Sequence, residues 1–241
     1  MANIPKLGDL PRAPKRIILH WTGGPSTANS VDRKAYHYVV EHTGKVVDGV
    51  FPVAANMRPL NDENYAHHTG GFNSFSVGVS FAGMAGWEST SKPGNVPLRE
   101  GQVLAGLRFV AECCDAWNLD PLNDDHVFHH REAWELHGVK GTQNHVKNDI
   151  THLPFHPELG PKETGPWLRK TIAAFLNSPD PIIPLPIPTP GERRWSRTVG
   201  WIRLERYVND SEWFFRPESD SSVPPMRAGA RWSQMALQPL K

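Results

Sequence analysis

The sequence feature that most constrains the fold is a proline-rich stretch at residues 179–190, where every second or third residue is proline. Proline fixes φ and lacks a backbone N–H, so this stretch suits neither a helix nor a central strand. It is expected to form a stiff polyproline II spacer of about 3.1 Å per residue. The chain is therefore predicted to have an N-terminal arm (1–14), a main domain (15–178), a linker (179–192) and a small C-terminal module (193–241).

Composition excludes several classes of function. The formal net charge is +1 over 241 residues and no long Lys/Arg block occurs, so no nucleic-acid partner is expected. The sequence lacks an apolar run of about 18 residues and an N-terminal apolar segment of signal-peptide length, so neither membrane insertion nor a cleaved leader is expected. We expect synthesis in the cytoplasm. The adjacent cysteines, Cys113 and Cys114, are expected to be buried thiols rather than a disulfide.

Hydrophobic patterns predict a sheet in the main domain. Arg16–Trp21 is a largely apolar run closed by a Gly-Pro loop, which is typical of a buried central strand. Residues 36–49 predict a hairpin, residues 75–81 a further strand and residues 126–130 a short strand. In the C-terminal module, alternation on either side of residues 209–211 predicts a second hairpin.

Two segments have the spacing of amphipathic helices. From residue 99 to residue 117, apolar side chains recur every three or four positions, and Asn118 is a suitable stop. Residues 165–177, with Pro166 just inside the start, predict a closing helix. Strands in the middle with helices before and after them predict a mixed α/β fold: a central, mostly mixed sheet flanked by helices, followed by a small β-rich module.

Residues 146–151 place a cation and a carboxylate two positions apart. In an extended segment or tight loop, residues i and i+2 project to the same side, so Lys147 and Asp149 could reach one small volume. If Asp149 holds a metal, nitrogen ligands must come from elsewhere in the chain. The candidates are His20, at the end of the first strand, and one of the adjacent pair His129 and His130.

Two imidazoles and one carboxylate form a common catalytic zinc set with a fourth position open to water. Zinc lowers the pKa of that water and polarises a carbonyl oxygen, which suits amide hydrolysis. Lys147 would stabilise the developing oxyanion, and the Tyr36 phenol would orient the water or handle its proton. Because the chain has twelve histidines, accidental pairs are expected, and the pattern alone leaves a zinc hydrolase as one hypothesis among several.

Six short motifs occur in a fixed order between about residue 15 and about residue 176. They are Ile-Leu-His-Trp-Thr at 18–22, Tyr-His-Tyr-Val at 36–39, Ala-His-His-Thr at 66–69 with Asn73, Ser-Val-Gly-Val at 76–79, His-Arg-Glu at 130–132 and Lys-Asn-Asp at 147–149. Together they resemble the type-2 N-acetylmuramoyl-L-alanine amidases, a family that includes phage lysins and peptidoglycan recognition proteins. Six motifs in order are far more specific than any one of them.

The resemblance implies one zinc ion per chain, bound in a surface groove by His20, His130 and Asp149. It favours His130 over His129, because the family motif places the ligand first, before the arginine. The catalytic residues that it implies are Lys147 and Tyr36. The residues expected to bind substrate are His68, with His67 as its rival, Asn73 and Trp87. Asn73 would alternatively fix the loop, and Trp87 is included from its place near a plausible groove edge.

The sequence departs from the family pattern in two places. The segment between Trp21 and Tyr36 is short, so the helix expected there is reduced to a turn or two around residues 31–35. Asn148 stands where the family often has an aromatic residue. Both departures would reshape the groove wall without touching the zinc ligands.

The resemblance implies a zinc-dependent hydrolase that cleaves the amide between N-acetylmuramic acid and L-alanine in peptidoglycan. The linker and C-terminal module, which would dock to the cell wall or to a particle, favour a bacteriolytic, antimicrobial phage endolysin or particle-associated lysin. A cytoplasmic amidase that recycles anhydro-muropeptides is an alternative. A non-catalytic peptidoglycan-binding module is the competing class; such binders usually lose a zinc ligand, whereas all three positions keep one here.

Overall fold

A computed structural model describes residues 2–89, 91–92, 94–135 and 149–177, together with four strands in the C-terminal region. The main domain contains a five-stranded sheet in the order β3-β2-β4-β1-β5. Its strands are β1 (Arg16–Trp21), β2 (Tyr38–Val40), β3 (Val46–Asp48), β4 (Ser76–Phe81) and β5 (Val127–His129). Only β3 runs antiparallel to its neighbour. The predicted mixed α/β fold is confirmed.

Among the described residues, five helices accompany this sheet: α1 (Ser30–Ala35), α2 (Val53–Asn56), α3 (Glu100–Trp117), α4 (His130–Glu135) and α5 (Pro161–Leu176). The predicted stop of α3 is confirmed, because Asn118 adopts the left-handed conformation with φ of 54° that short polar side chains tolerate. None of the helices in the described part of the chain is long and apolar enough to cross a membrane.

The two faces of the sheet pack against two different hydrophobic clusters. Side chains alternate along a strand, so Ile17 and Leu19 of β1 join the large core under α3 and α5, which also holds both free cysteines. Ile18 points the other way and packs with Phe128 and with Ala133 of α4. His20, two residues beyond Ile18, therefore emerges on the α4 side of the sheet.

The N-terminal arm packs against the main domain. The Trp117 indole donates to the carbonyl oxygen of Pro5 over 2.9 Å, and the Tyr38 hydroxyl donates to that of Asn3 over 2.7 Å. A 3-10 turn at Leu7–Asp9 lies between these residues and β1. The arm thus closes the core at the side where α3 ends.

Two elements differ from the sequence-based expectation. The closing helix begins at Pro161 rather than near residue 165, because Gly160 is extended and Pro161 suits a first turn, where no backbone donor is needed. Pro166 consequently lies inside the helix. The short strand predicted at 126–130 ends at His129, and His130 instead begins α4.

The C-terminal region forms a four-stranded antiparallel sheet in the order β6-β7-β8-β9. Its strands are β6 (Arg193–Ser196), β7 (Gly200–Asn209), β8 (Glu212–Pro217) and β9 (Met226–Arg227). The predicted hairpin corresponds to β7 and β8, and two further strands extend it. The proline-rich linker lies outside the described residues, and the predicted domain boundaries and docking role stay predictions.

Candidate metal centre

Neighbouring strands bring the two candidate nitrogen ligands together. In the parallel pair β1 and β5, Leu19 lies opposite His129, so His20 and His130 follow at the same edge of the sheet. Side chains at the carboxyl ends of parallel strands commonly converge on one site. His20 is fully buried, while His130 at the start of α4 remains partly accessible.

The buried carboxylate of Asp149 completes a compact group with these histidines. Asp149 Oδ2 lies 2.9 Å from His20 Nδ1 and 3.2 Å from His130 Nδ1, and the two Nδ1 atoms lie 3.1 Å apart. We call these three residues the His-His-Asp triad. Their ligand atoms all lie within 4.8 Å of one another, as in a site that could hold a metal ion.

Electrostatics keep this carboxylate charged. Burial alone would raise the pKa of Asp149, but hydrogen bonding with the imidazoles of His130 and His20 outweighs it and holds that pKa well below its usual range. Two imidazole nitrogens and an anionic oxygen therefore face one point. A tetrahedral zinc ion, with bonds of about 2.0–2.1 Å, keeps its ligand atoms roughly 3.3 Å apart, so the donor set fits zinc.

His129 has a structural environment of its own. Its backbone N–H donates to Glu132 Oε2 over 3.0 Å, and Glu132 forms a two-pronged buried ion pair with Arg169, with both N–O distances 2.9 Å. His129 itself is 1% exposed. The geometry therefore brings His130, and not His129, to Asp149.

Tyr36 lies beside the triad at the end of α1, with its ring centroid 5.0 Å from that of His20. The short helix expected before it is present as α1. Burial, and secondly the charge of Asp149, raise the pKa of the Tyr36 phenol well above its usual range. The phenol consequently keeps its proton at neutral pH and can act as a hydrogen-bond donor.

The two histidines of the 66–69 loop have different surroundings. His67 is exposed, stacks on Tyr65 with ring centroids 3.7 Å apart and pairs with Glu63. His68 is 4% exposed, and its ring centroid lies 5.5 Å from that of His20. Burial, and secondly the neighbouring histidines, lower the pKa of His68 well below its ordinary value, so it is neutral. His68 thus lies behind the triad, inside the protein.

Asn73 bonds to the 66–69 loop, whereas Trp87 packs against aromatic rings of two other segments. Asn73 Oδ1 accepts from the Thr69 backbone N–H over 2.8 Å, so its amide fixes the 66–69 loop. Trp87 is half-buried, and its ring lies 5.3 Å from that of Trp21 and 5.4 Å from that of His152. Trp87 therefore packs between the chain following His20 and the chain following Asp149.

Lys147 lies within residues 136–148, outside the described part of the chain. The structure therefore leaves its predicted catalytic role untested. Thr69, in contrast, was missed by sequence reasoning although it contacts both His20 and His68. A lone threonine beside two histidines gives no periodic or spacing signal.

A sequence model of the N-acetylmuramoyl-L-alanine amidases matches residues 10–146, more than half of the 241 residues. The chain belongs to this amidase family. The match spans five of the six motifs, ending just before the Lys-Asn-Asp motif, and it confirms the resemblance drawn from them. A search of curated protein sequences finds no match to this amidase.

Solved structures similar to parts of this chain were also found. An N-acetylmuramoyl-L-alanine amidase LysC from Clostridium intestinale is 14% identical, covering 60% of this amidase and 81% of that chain, with a TM-score of 0.37. The Ph2119 endolysin from a Thermus scotoductus bacteriophage is 18% identical (50% and 73% covered, TM-score 0.31). A complex of the peptidoglycan recognition proteins LCa and LCx with tracheal cytotoxin gives 18% identity (50% and 72% covered, TM-score 0.35).

Proposed function

We propose that this peptidoglycan amidase uses one zinc ion, held by His20, His130 and Asp149, to cleave the bond between N-acetylmuramic acid and L-alanine. The main observation behind this proposal is that two Nδ1 atoms and one carboxylate oxygen all lie within 4.8 Å of one another. Membership of the amidase family supports the choice of substrate.

When bound, zinc supplies a Lewis acid that polarises the scissile carbonyl and acidifies a water molecule. The protein's own groups have separate tasks. Asp149 contributes the negative charge that balances a cation in a buried site, and Tyr36 Oη keeps a proton with which it orients the attacking water. The Lys147 ammonium would stabilise the oxyanion of the tetrahedral intermediate, a role proposed from the family motif.

For substrate binding, we assign Trp87, His68 and Asn73 to the groove wall and its support. The half-buried Trp87 can offer part of its ring to the muropeptide. His68 and Asn73 act from behind, because His68 is buried and the Asn73 side chain holds the backbone of the 66–69 loop.

We further propose that the protein is a wall-degrading lysin of the endolysin or particle-associated kind. The C-terminal four-stranded sheet supports this assignment, because a hydrolase acting on a single small muropeptide would not require an added module. Docking to the wall or to a particle is the role proposed for residues 193–241.

The expected products identify the bond that is cleaved. Incubated with purified peptidoglycan, the zinc-loaded protein should release stem peptides with a free L-alanine amino group and leave muramic acid with a free lactyl carboxylate. Mass spectrometry and amino-group labelling measure both products. Stripping the metal with a chelator should stop product release, and added zinc should restore it.

Boiled protein controls for spontaneous hydrolysis. Cleavage within the stem peptide or between sugars would contradict the assigned bond. Tight binding to peptidoglycan without any product, at every zinc concentration, would instead identify a non-catalytic binding module.

A further inference from the structure

The hydroxyl group of Thr69 lies between two buried histidines. Thr69 is 2% exposed, and its Oγ1 lies 3.3 Å from His20 Nε2 and 3.0 Å from His68 Nδ1. Both contacts are within hydrogen-bond distance. The hydroxyl therefore interacts with the ring nitrogen of His20 that faces away from the His-His-Asp triad.

A neutral imidazole has one N–H, and for His20 each ring nitrogen has an acceptor nearby. A proton on Nδ1 would be donated to Asp149 Oδ2 at 2.9 Å, which would leave no lone pair for a metal on that nitrogen. A proton on Nε2 would be donated to Thr69 Oγ1 instead, and the Nδ1 lone pair would then point into the triad. The hydroxyl oxygen thus competes with the carboxylate for a single proton.

The hydroxyl can accept from His20 because its own proton has another acceptor. Thr69 O–H can donate to His68 Nδ1 over 3.0 Å when the His68 proton is on Nε2. The threonine is held in place from its backbone as well, since its N–H donates to Asn73 Oδ1.

The position of His68 is itself fixed by a close approach to β4. A Cβ atom added at Gly78 would lie 2.5 Å from His68 Cγ, so only glycine leaves room for the ring there. The hydrogen-bond chain from His20 through Thr69 to His68 is therefore held against the sheet.

We propose that Thr69 is a positioning residue that favours the Nε2-protonated tautomer of His20, and so makes Nδ1 available as a metal ligand. The inference rests on the proposed zinc site. Groups that orient a metal-binding histidine through its second nitrogen typically contribute 10–100-fold to metal affinity, to order of magnitude.

The test compares Thr69→Val, which removes the hydroxyl at nearly constant volume, with Thr69→Ser, which keeps it. Zinc affinity, measured by competition with a chromophoric chelator, should fall about 10–100-fold in Thr69→Val and remain near wild type in Thr69→Ser. Thr171→Val makes the same chemical change on α5, where the hydroxyl donates to the Trp167 carbonyl oxygen, and should leave zinc affinity unchanged.

A second readout follows the tautomer in the metal-free protein. Ring ¹⁵N shifts of His20 should indicate a larger fraction protonated at Nε2 in wild type and in Thr69→Ser than in Thr69→Val. Equal zinc affinity in wild type and Thr69→Val, or loss that Thr69→Ser fails to rescue, would overturn the inference. A wild-type protein that binds no zinc would refute the proposed metal site, and the ¹⁵N shifts would still decide the role of Thr69.

Discussion

Replacing Asp149 by asparagine is expected to abolish zinc binding and to lower amidase activity by at least about 1000-fold, because a catalytic metal supplies several kcal/mol of transition-state stabilisation. The substitution keeps the shape of the side chain and removes the charge that faces the Nδ1 atoms of His20 and His130. Zinc content after dialysis measures metal binding. The rate at which free L-alanine amino groups appear on peptidoglycan measures amidase activity.

Asp62→Asn is the matched control for this variant. Asp62 pairs with Arg58 on the surface, with an N–O distance of 2.8 Å, and has no place in the triad. The amidase activity of the Asp62→Asn variant is expected to remain within about twofold of wild type, because exposed ion pairs contribute little to stability. An Asp149→Asn protein that retains stoichiometric zinc and full activity would show that another residue supplies the third ligand.

Removing the buried carboxylate of Glu132 is expected to lower the free energy of unfolding by about 3–5 kcal/mol, since Arg169 is then left with an uncompensated buried charge. Two guanidinium nitrogens of Arg169 each lie 2.9 Å from a carboxylate oxygen of Glu132, and both residues are less than a tenth exposed. Chemical denaturation of Glu132→Ala, with the metal chelated, measures the effect on folding alone.

Glu135→Ala on the same helix is the control. Glu135 pairs with Arg131 over 2.6 Å at a site about 30% exposed, where loss of an ion pair costs about 1 kcal/mol or less. Similar destabilisation in the two variants would contradict the assigned role of the buried pair. Because Glu132 also accepts from the His129 backbone next to His130, Glu132→Ala should weaken zinc binding as well.

The sequence predicts the elements whose patterns are long and regular. Arg16–Trp21 and α3 could be placed because a continuous apolar run and a sustained helical period each leave few alternatives. The end of this helical period also places the stop at Asn118. His20 could be chosen as a candidate because the end of a buried parallel strand is where sheet proteins collect functional side chains.

Hydrophobic patterns do not locate the boundary between β5 and α4, which decides between His129 and His130. His129 and His130 are adjacent, so hydrophobic periodicity does not distinguish them, and only the family motif favoured His130. A local signal was nevertheless present: Glu132 stands three residues after His129, and its carboxylate accepts from the His129 N–H in the manner of a capping box. That spacing marks His129 as the residue before a helix and His130 as its first residue.

Two contacts near the site were not predicted because they join residues far apart in the sequence. The ion pair of Glu132 with Arg169 joins residues 37 positions apart, and the contact of Thr69 with His20 joins residues 49 apart. Neither leaves a local pattern in the sequence. The start of α5 could have been predicted better, because Gly160 followed by Pro161 is a recognisable beginning of a helix.

A crystal structure of the protein grown with zinc tests the central claim most directly. Anomalous scattering at the zinc edge should show one ion per chain, bonded to His20 Nδ1, His130 Nδ1 and the Asp149 carboxylate at about 2.0–2.2 Å. A zinc ion bound elsewhere, or an empty triad at a zinc concentration that saturates activity, would contradict the assignment of these three residues as the catalytic metal site.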